Sequence, residues 1–186
     1  GLVEVYSGAD RSRLYGVGPV SGVDSLLGQN LITLGDINQD GANEFLVGAG
    51  GLTAAYVISG IDGARLGSIV TNSNGQIGMQ LTTIGDLDGD GLPEFAVGLP
   101  NGTVQGMNFA GKVMLFDGAT WQLRQEIHGQ TSNRWLGNLL CGPGDLDGNG
   151  TPDLLIGGNE QALLAGEGFT ALRGEDLQPI FRLDRR

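Results

Sequence analysis

Several residue types are scarce in this sequence, and each scarcity excludes something. Cys141 is the single cysteine, so an intrachain disulfide and any two-cysteine redox or zinc site are ruled out. His128 is the single histidine, which leaves imidazole chemistry one position to work from. Ten Lys and Arg stand against 21 Asp and Glu, giving a net charge of −11. Scattered bases in that number do not build the clustered positive surface that phosphate binding needs, so no nucleic-acid partner is expected. No run of about 18 apolar residues occurs, and no membrane span is expected. Gly1-Leu2-Val3 lacks the layout of a signal peptide, and the chain starts inside a repeat, from which upstream processing or truncation is expected.

What is abundant is glycine, 35 of 186 residues, with only six prolines. Each interior glycine costs a helix roughly 1 kcal/mol relative to alanine, so long helices are disfavoured and turn-rich β structure fits better. Hydrophobic residues make up 40% of the chain, enough for a packed core rather than a disordered segment. The length suits one domain. Acid is also concentrated: ten of the 21 acidic residues fall in three short loops, leaving eleven acids against ten bases elsewhere. Acidity gathered in this way points to bound cations rather than a generally solvating surface.

Those loops repeat. Gly35-Asp36-Ile37-Asn38-Gln39-Asp40-Gly41 returns as Gly85-Asp86-Leu87-Asp88-Gly89-Asp90-Gly91 and as Gly144-Asp145-Leu146-Asp147-Gly148-Asn149-Gly150. Each is followed by an apolar run closed by glycine, at Phe45-Leu46-Val47-Gly48, Phe95-Ala96-Val97-Gly98 and Leu154-Leu155-Ile156-Gly157, which reads as a short buried strand. A strand is predicted before each loop, at Leu31-Ile32-Thr33, Leu81-Thr82-Thr83 and Asn138-Leu139-Leu140. A hairpin is predicted around each of Val5-Tyr6-Ser7-Gly8, Val57-Ile58-Ser59-Gly60, Leu115-Phe116-Asp117-Gly118 and Ala171-Leu172-Arg173-Gly174. Four strands in 50 to 59 residues is the content of one propeller blade. The units run roughly 3–52, 53–111 and 112–166, with a partial fourth at 167–186, in one region spanning 1–186. The longest insertion, Asn101 to Gly111, is expected as a surface loop.

Counted from its first Asp, each loop carries oxygen-bearing side chains at positions 1, 3, 5 and 9 and glycine at position 6. The candidate metal ligands are Asp36, Asn38, Asp40 and Glu44; Asp86, Asp88, Asp90 and Glu94; and Asp145, Asp147, Asn149 and Asp153. Ala42, Leu92 and Thr151, at position 7, would add a backbone carbonyl. Alternate positions turn oxygens toward one hard cation, and an all-oxygen set suits calcium rather than zinc or copper. Up to three calcium ions are expected, with the second loop, which has four acids, binding tightest. An EF-hand would need a bidentate Glu at position 12, where this chain has Val47, Val97 and Ile156. The bland alternative is an Asp-Gly turn that binds nothing.

With loop, strand and hairpin together, the chain resembles the FG-GAP repeats of the integrin α-subunit propeller and of many secreted bacterial proteins. Leu27-Gly28, Ile77-Gly78 and Leu136-Gly137 stand in for the FG element, with Phe replaced throughout. Gly48-Ala49-Gly50, Gly98-Leu99-Pro100 and Gly157-Gly158-Asn159 stand for the GAP element. Glu44 and Glu94 replace the usual Asp at position 9. The resemblance implies an all-β propeller of four-stranded antiparallel blades, incomplete in this chain or completed by further blades of a longer chain or by oligomerisation. It implies calcium as the bound ion, an extracellular, cell-surface or periplasmic setting in a bacterium, and a non-catalytic role in protein or glycan binding and adhesion. The alternatives are the propeller portion of a secreted hydrolase or lyase, and a structural self-assembly module. His128, in Glu126-Ile127-His128-Gly129, reads as a strand-end surface residue; Cys141 is expected to pack within a strand; Trp121 and Trp135 are expected to fill space between blades, with sugar stacking as their rival role.

Overall fold

The computed structural model describes residues 1–19, 27–49, 54–70, 80–158 and 168–183. Four antiparallel sheets are present among them. The first pairs β1 (Val3–Tyr6) with β2 (Arg13–Val17). The second runs β3 (Leu27–Gly35), β4 (Glu44–Ala49), β5 (Ala54–Ile58) and β6 (Arg65–Val70). The third runs β7 (Gln80–Gly85), β8 (Glu94–Leu99), β9 (Lys112–Phe116) and β10 (Leu123–His128). The fourth runs β11 (Leu139–Gly144), β12 (Asp153–Gly157), β13 (Phe169–Leu172) and β14 (Pro179–Leu183). Each four-stranded sheet is a meander in chain order, the form of a propeller blade. No closed barrel is formed among the described strands.

The sheets are phased differently from the repeats read in the sequence. Each predicted unit begins with a hairpin, whereas each four-stranded sheet ends with one: β5 and β6 join the sheet of the preceding loop, and β13 and β14 complete the fourth sheet. Sequence similarity fixes the period but not where a repeat begins. The grouping is decided by which strands pair: β4 with β5, β8 with β9 and β12 with β13.

First strands lie side by side: β7 packs against β3 on one side and β11 on the other. Strand alternation then distributes side chains to both faces of each sheet. In the second sheet, Leu46, Ala55 and Val57 face Phe95, Val97, Leu99, Met114 and Phe116 of the third. Val47, Ala49 and Ile58 face the opposite way, onto Val3 and Val17 of β1 and β2. In the third sheet, Ala96, Val113 and Leu115 turn toward Leu154, Ile156 and Leu172 of the fourth. Burial on both faces explains why Phe45-Leu46-Val47 and Phe95-Ala96-Val97 are unbroken apolar runs instead of alternating patterns. Phe95 and Phe116 stack with ring centroids 5.3 Å apart. Trp121 packs against the same cluster over Gly67, filling space between the second and third sheets.

Two expectations are corrected here. Cys141 lies in β11, as foreseen, but it is exposed, because it stands on the outer face of the fourth sheet with Leu139 and Phe181. The insertion 101–111 is only partly a surface loop. Ala110 is fully buried, Val104 nearly so, and Gly111 forms a parallel bridge to Leu136. Of the elements read from the sequence, Ile77-Gly78, Gly50 and Asn159 lie outside the described residues.

Gly98 and Gly137 meet where the third and fourth sheets pack. Gly137 has φ of 89°, and a Cβ on Gly98 would run into the Gly137 carbonyl. Gly98→Ala should therefore destabilise the protein by about 1–3 kcal/mol, the usual penalty of overpacking. Gly8→Ala, at a site with nothing within 4 Å of the added carbon, should change chemical-denaturation stability by no more than about 0.5 kcal/mol.

Candidate metal centres

All three acidic loops join the first and second strands of their sheets, β3 to β4, β7 to β8 and β11 to β12. They therefore lie at equivalent ends of consecutive sheets. The leading glycine of one loop also touches the next: a Cβ on Gly35 would contact Leu92 and Pro93, and one on Gly85 would clash with Pro152.

Position 1 organises the turn. The Gly41, Gly91 and Gly150 amides donate to Asp36, Asp86 and Asp145 Oδ2 at 2.9, 2.9 and 2.8 Å. Those glycines hold φ of 93°, 90° and 88°, a region that side-chain-bearing residues seldom enter. Position 5 caps position 7: the amides of Ala42, Leu92 and Thr151 donate to Asp40, Asp90 and Asn149 Oδ1 at 2.9, 2.8 and 2.7 Å.

Position 9 is the buried member. Glu44, Glu94 and Asp153 are each 0% exposed. Each opens its strand opposite the glycine that precedes the loop, Gly35, Gly85 or Gly144. One oxygen accepts the amide at position 2, from Ile37 (3.0 Å), Leu87 (2.6 Å) and Leu146 (2.6 Å). The other oxygen reaches the turn of the following hairpin in two sheets, where Gly60 N donates to Glu44 Oε1 at 3.4 Å and Gly174 N to Asp153 Oδ1 at 3.3 Å. A buried carboxylate thus ties each of these loops to the hairpin of its own sheet.

The structure brings together positions 1, 3 and 9. Carboxylate oxygens of Asp86, Asp88 and Glu94 lie within 4.8 Å of one another, as do those of Asp145, Asp147 and Asp153. Asp90, at position 5 of the second loop, stays outside its group, and its Oδ1 accepts the Leu92 amide. In the first loop, Asn38 replaces one acid and its amide donates to Asp40 Oδ2 at 2.8 Å. The donor set is oxygen throughout, which fits calcium or magnesium. A further observation fits a cation: Glu94 Oε1 is buried and lacks a well-aligned hydrogen bond, its near neighbour being a positive charge, Arg124 Nη1 at 2.9 Å. Buried oxygens are normally satisfied, so this one has unused acceptor capacity.

The sequence did not mark two basic side chains that reach these loops. Arg124 Nη1 contacts Glu94 Oε1 at 2.9 Å and Asp88 Oδ2 at 3.0 Å. Arg173 Nε contacts Asp147 Oδ2 at 2.8 Å. Each comes from the hairpin of its sheet, 36 and 26 residues along the chain from its acid. The spacing from loop to hairpin gives no signal for them, because Gly60, Gly118 and Gly174 follow Asp36, Asp86 and Asp145 by 24, 32 and 29 residues.

The local fields differ among these carboxyls. The Gly91 amide, with those of Gly89, Asp90 and Asp88, holds the Asp86 carboxyl below its ordinary value of 3.8, against some desolvation. The Gly150 amide does the same for Asp145. Burial pushes Glu94 above its ordinary 4.5, and the Asp88 charge adds to the rise, while the Leu87 amide and Arg124 oppose it. A carboxyl with a depressed folded pKa contributes stability that is complete above the unfolded value and is lost as pH falls through the folded one. The stability difference between the wild type and Asp145→Asn, measured by melting without divalent ions, should therefore be constant above about pH 5 and shrink as pH falls below the ordinary Asp value near 3.9.

His128 ends β10, half-buried, with Nε2 2.8 Å from Glu126 Oε2; Glu126 Oε1 also takes Lys112 Nζ at 2.6 Å. Glu126 and His128 border a cleft of about 630 Å³ between β10 and the β13–β14 hairpin. Trp135 stacks on Phe109, centroids 4.9 Å apart and nearly parallel, so the insertion and the segment after β10 hold each other.

No curated protein sequence matches the chain. Among solved structures, Sqt1 of Saccharomyces cerevisiae is similar at 11% identity with a TM-score of 0.46, over 96% of this chain and 53% of Sqt1, so the chain spans about half of that protein's length. A Bacteroides caccae protein of unknown function is similar at 15% identity with a TM-score of 0.36, over 98% of this chain and 72% of its own. The match of sequence to family is more specific: residues 86–156, holding the second and third acidic loops and β8 to β11, match the FG-GAP-like repeat. Residues 86–156 thus form an FG-GAP-like repeat region within an all-β chain whose four-stranded meander sheets have the form of propeller blades.

Proposed function

We propose that this chain is a calcium-binding propeller module that acts by recognising a protein or a glycan and not by catalysis. The observation that carries the calcium reading is the convergence of Asp86, Asp88 and Glu94, with one fully buried oxygen of Glu94 left without a hydrogen bond. The same three positions converge again at Asp145, Asp147 and Asp153. Asp36, Asn38, Asp40 and Glu44 form the third candidate site, and the carbonyls of Ala42, Leu92 and Thr151 complete the proposed ligand sets.

A bound calcium ion would neutralise carboxylates that otherwise repel one another. The chain's own contribution is mechanical. The position 9 carboxylate joins loop to hairpin in the second and fourth sheets, so fixing its oxygens fixes both at once. The close approach of Leu92 and Pro93 to Gly35, and of Pro152 to Gly85, where an added Cβ would touch or clash, then relates each loop to the next. At the opposite end of the third sheet, where β8 passes to β9, the insertion 101–111 is the proposed recognition segment. It presents Phe109, 42% exposed, stacked on Trp135. Stiff aromatics of this kind lose little entropy on contact with a partner. Calcium is plentiful outside cells, which favours an extracellular, cell-surface or periplasmic setting.

The rival reading, a portion of a hydrolase or lyase, draws support from the His128–Glu126 pair at its cleft. Glu126 also binds Lys112, so the pair belongs equally to a structural charge network. If an activity is found, His128→Ala should leave it intact; loss of turnover with unchanged folding would favour the enzyme.

Chelation should lower the melting temperature, and Asp88→Ala should reproduce part of that loss while making the protein less responsive to added calcium. Scanning calorimetry with EDTA and with excess calcium checks both, and melts that coincide in the two conditions would refute the calcium reading.

A further inference from the structure

The second loop already contains a cation of its own. One guanidinium nitrogen of Arg124 lies 2.9 Å from Glu94 Oε1 and 3.0 Å from Asp88 Oδ2, with Asp117 Oδ2 at 3.9 Å. A bulge places it there. Leu123 pairs with Phe116 and Gln125 with Leu115, so Arg124 drops out of the ladder, and such a residue is re-aimed relative to its neighbours.

The other three hairpins are irregular at the matching point. There the ladders skip Leu14, Leu66 and Ile180. The bulge therefore forms with an aliphatic residue, and a basic one is not needed for the hairpin. Arg124 is the exception, and its charge reaches the acidic loop.

We propose that Arg124 is a tethered counter-cation that holds the second loop together when no divalent ion is bound and has to be displaced for one to bind. The inference rests on the calcium reading above. Calcium holds its oxygens at about 2.3–2.6 Å, and the three converging oxygens lie within 4.8 Å of one another. A guanidinium nitrogen about 3 Å from an oxygen of Asp88 and one of Glu94 crowds the space such an ion would take, and two cations there repel each other.

Arg124 also serves Glu94 imperfectly. The contact supplies charge, yet Glu94 Oε1 gains no aligned hydrogen bond. A spherical ion has no such angular requirement. The Arg124 side chain is 37% exposed, so it has a route outward.

In the fourth sheet, Arg173 touches Asp147 from a different place, the residue before the hairpin glycine. The corresponding residue of the second sheet is Ser59 and its bulge residue is Leu66, neither of them charged. The second loop's extra carboxylate is thus offset from within the chain. It binds calcium more weakly than its four acids alone imply.

The test is a calcium titration followed by amide NMR, with Gly91 reporting the second loop and Gly41 the first, in wild type, Arg124→Leu, Arg124→Gln and Arg124→Lys. Leucine is the residue that Leu66 supplies at the matching bulge, and glutamine is a second neutral variant. Both should move the Gly91 midpoint to about tenfold lower calcium, the loss of one competing charged contact, and leave Gly41 unmoved. Arg124→Lys should stay near wild type. Without calcium the neutral variants should melt below wild type, and saturating calcium should close that gap; a purely structural arginine would lower both melts. A Gly91 midpoint that is unchanged or higher in both neutral variants overturns the proposal while the calcium reading stands. If Gly91 responds in no protein while Gly41 does, the second loop is not a cation site and the proposal falls. If neither glycine responds, the calcium reading falls with it.

Discussion

The buried carboxylate at the ninth position of each acidic loop is the constraint on which the rest of the rim depends. Glu44, Glu94 and Asp153 sit in fully enclosed positions where a charge is costly unless it is matched. Backbone amides match part of it, from the loop itself and, for Glu44 and Asp153, from the hairpin turn of the same sheet. Loop and hairpin are distant in sequence, so these bonds set how the inner and outer strand pairs of a sheet meet at that end.

Charge is balanced differently in the three loops. The first uses an asparagine amide against Asp40, the second an arginine across Asp88 and Glu94, and the third an arginine against Asp147. A repeat that keeps its oxygen positions while varying the group that faces them, a neutral amide or a guanidinium, can hold one architecture with a different local charge in each loop. A bulge residue such as Arg124 can differ between sheets without disturbing the strand ladder, since Leu14, Leu66 and Ile180 stand at the matching points.

Packing follows the same logic of repetition with local variation. Apolar strands β4 and β8 are covered on both faces by neighbouring sheets, whereas the fourth sheet leaves Leu139, Cys141 and Phe181 exposed on its outer side. The difference between an interior sheet and an end sheet is not written in strand composition, since Leu154-Leu155-Ile156 is as apolar as Phe45-Leu46-Val47.

The loops, the strands on either side of them and the hairpins were legible from the sequence, because glycine and aspartate at fixed spacing dictate a local turn whatever surrounds it. The all-oxygen donor set was legible for the same reason. What only the tertiary structure decided was longer in range: that each hairpin belongs with the loop before it, that positions 1, 3 and 9 converge in the second and third loops, that Ala110 of the insertion is buried, and that Arg124 and Arg173 return to acids 36 and 26 residues away. Local spacing governs backbone conformation over a few residues. Which charges meet across a sheet depends on strand register and on a bulge, and those are settled only when the strands pair.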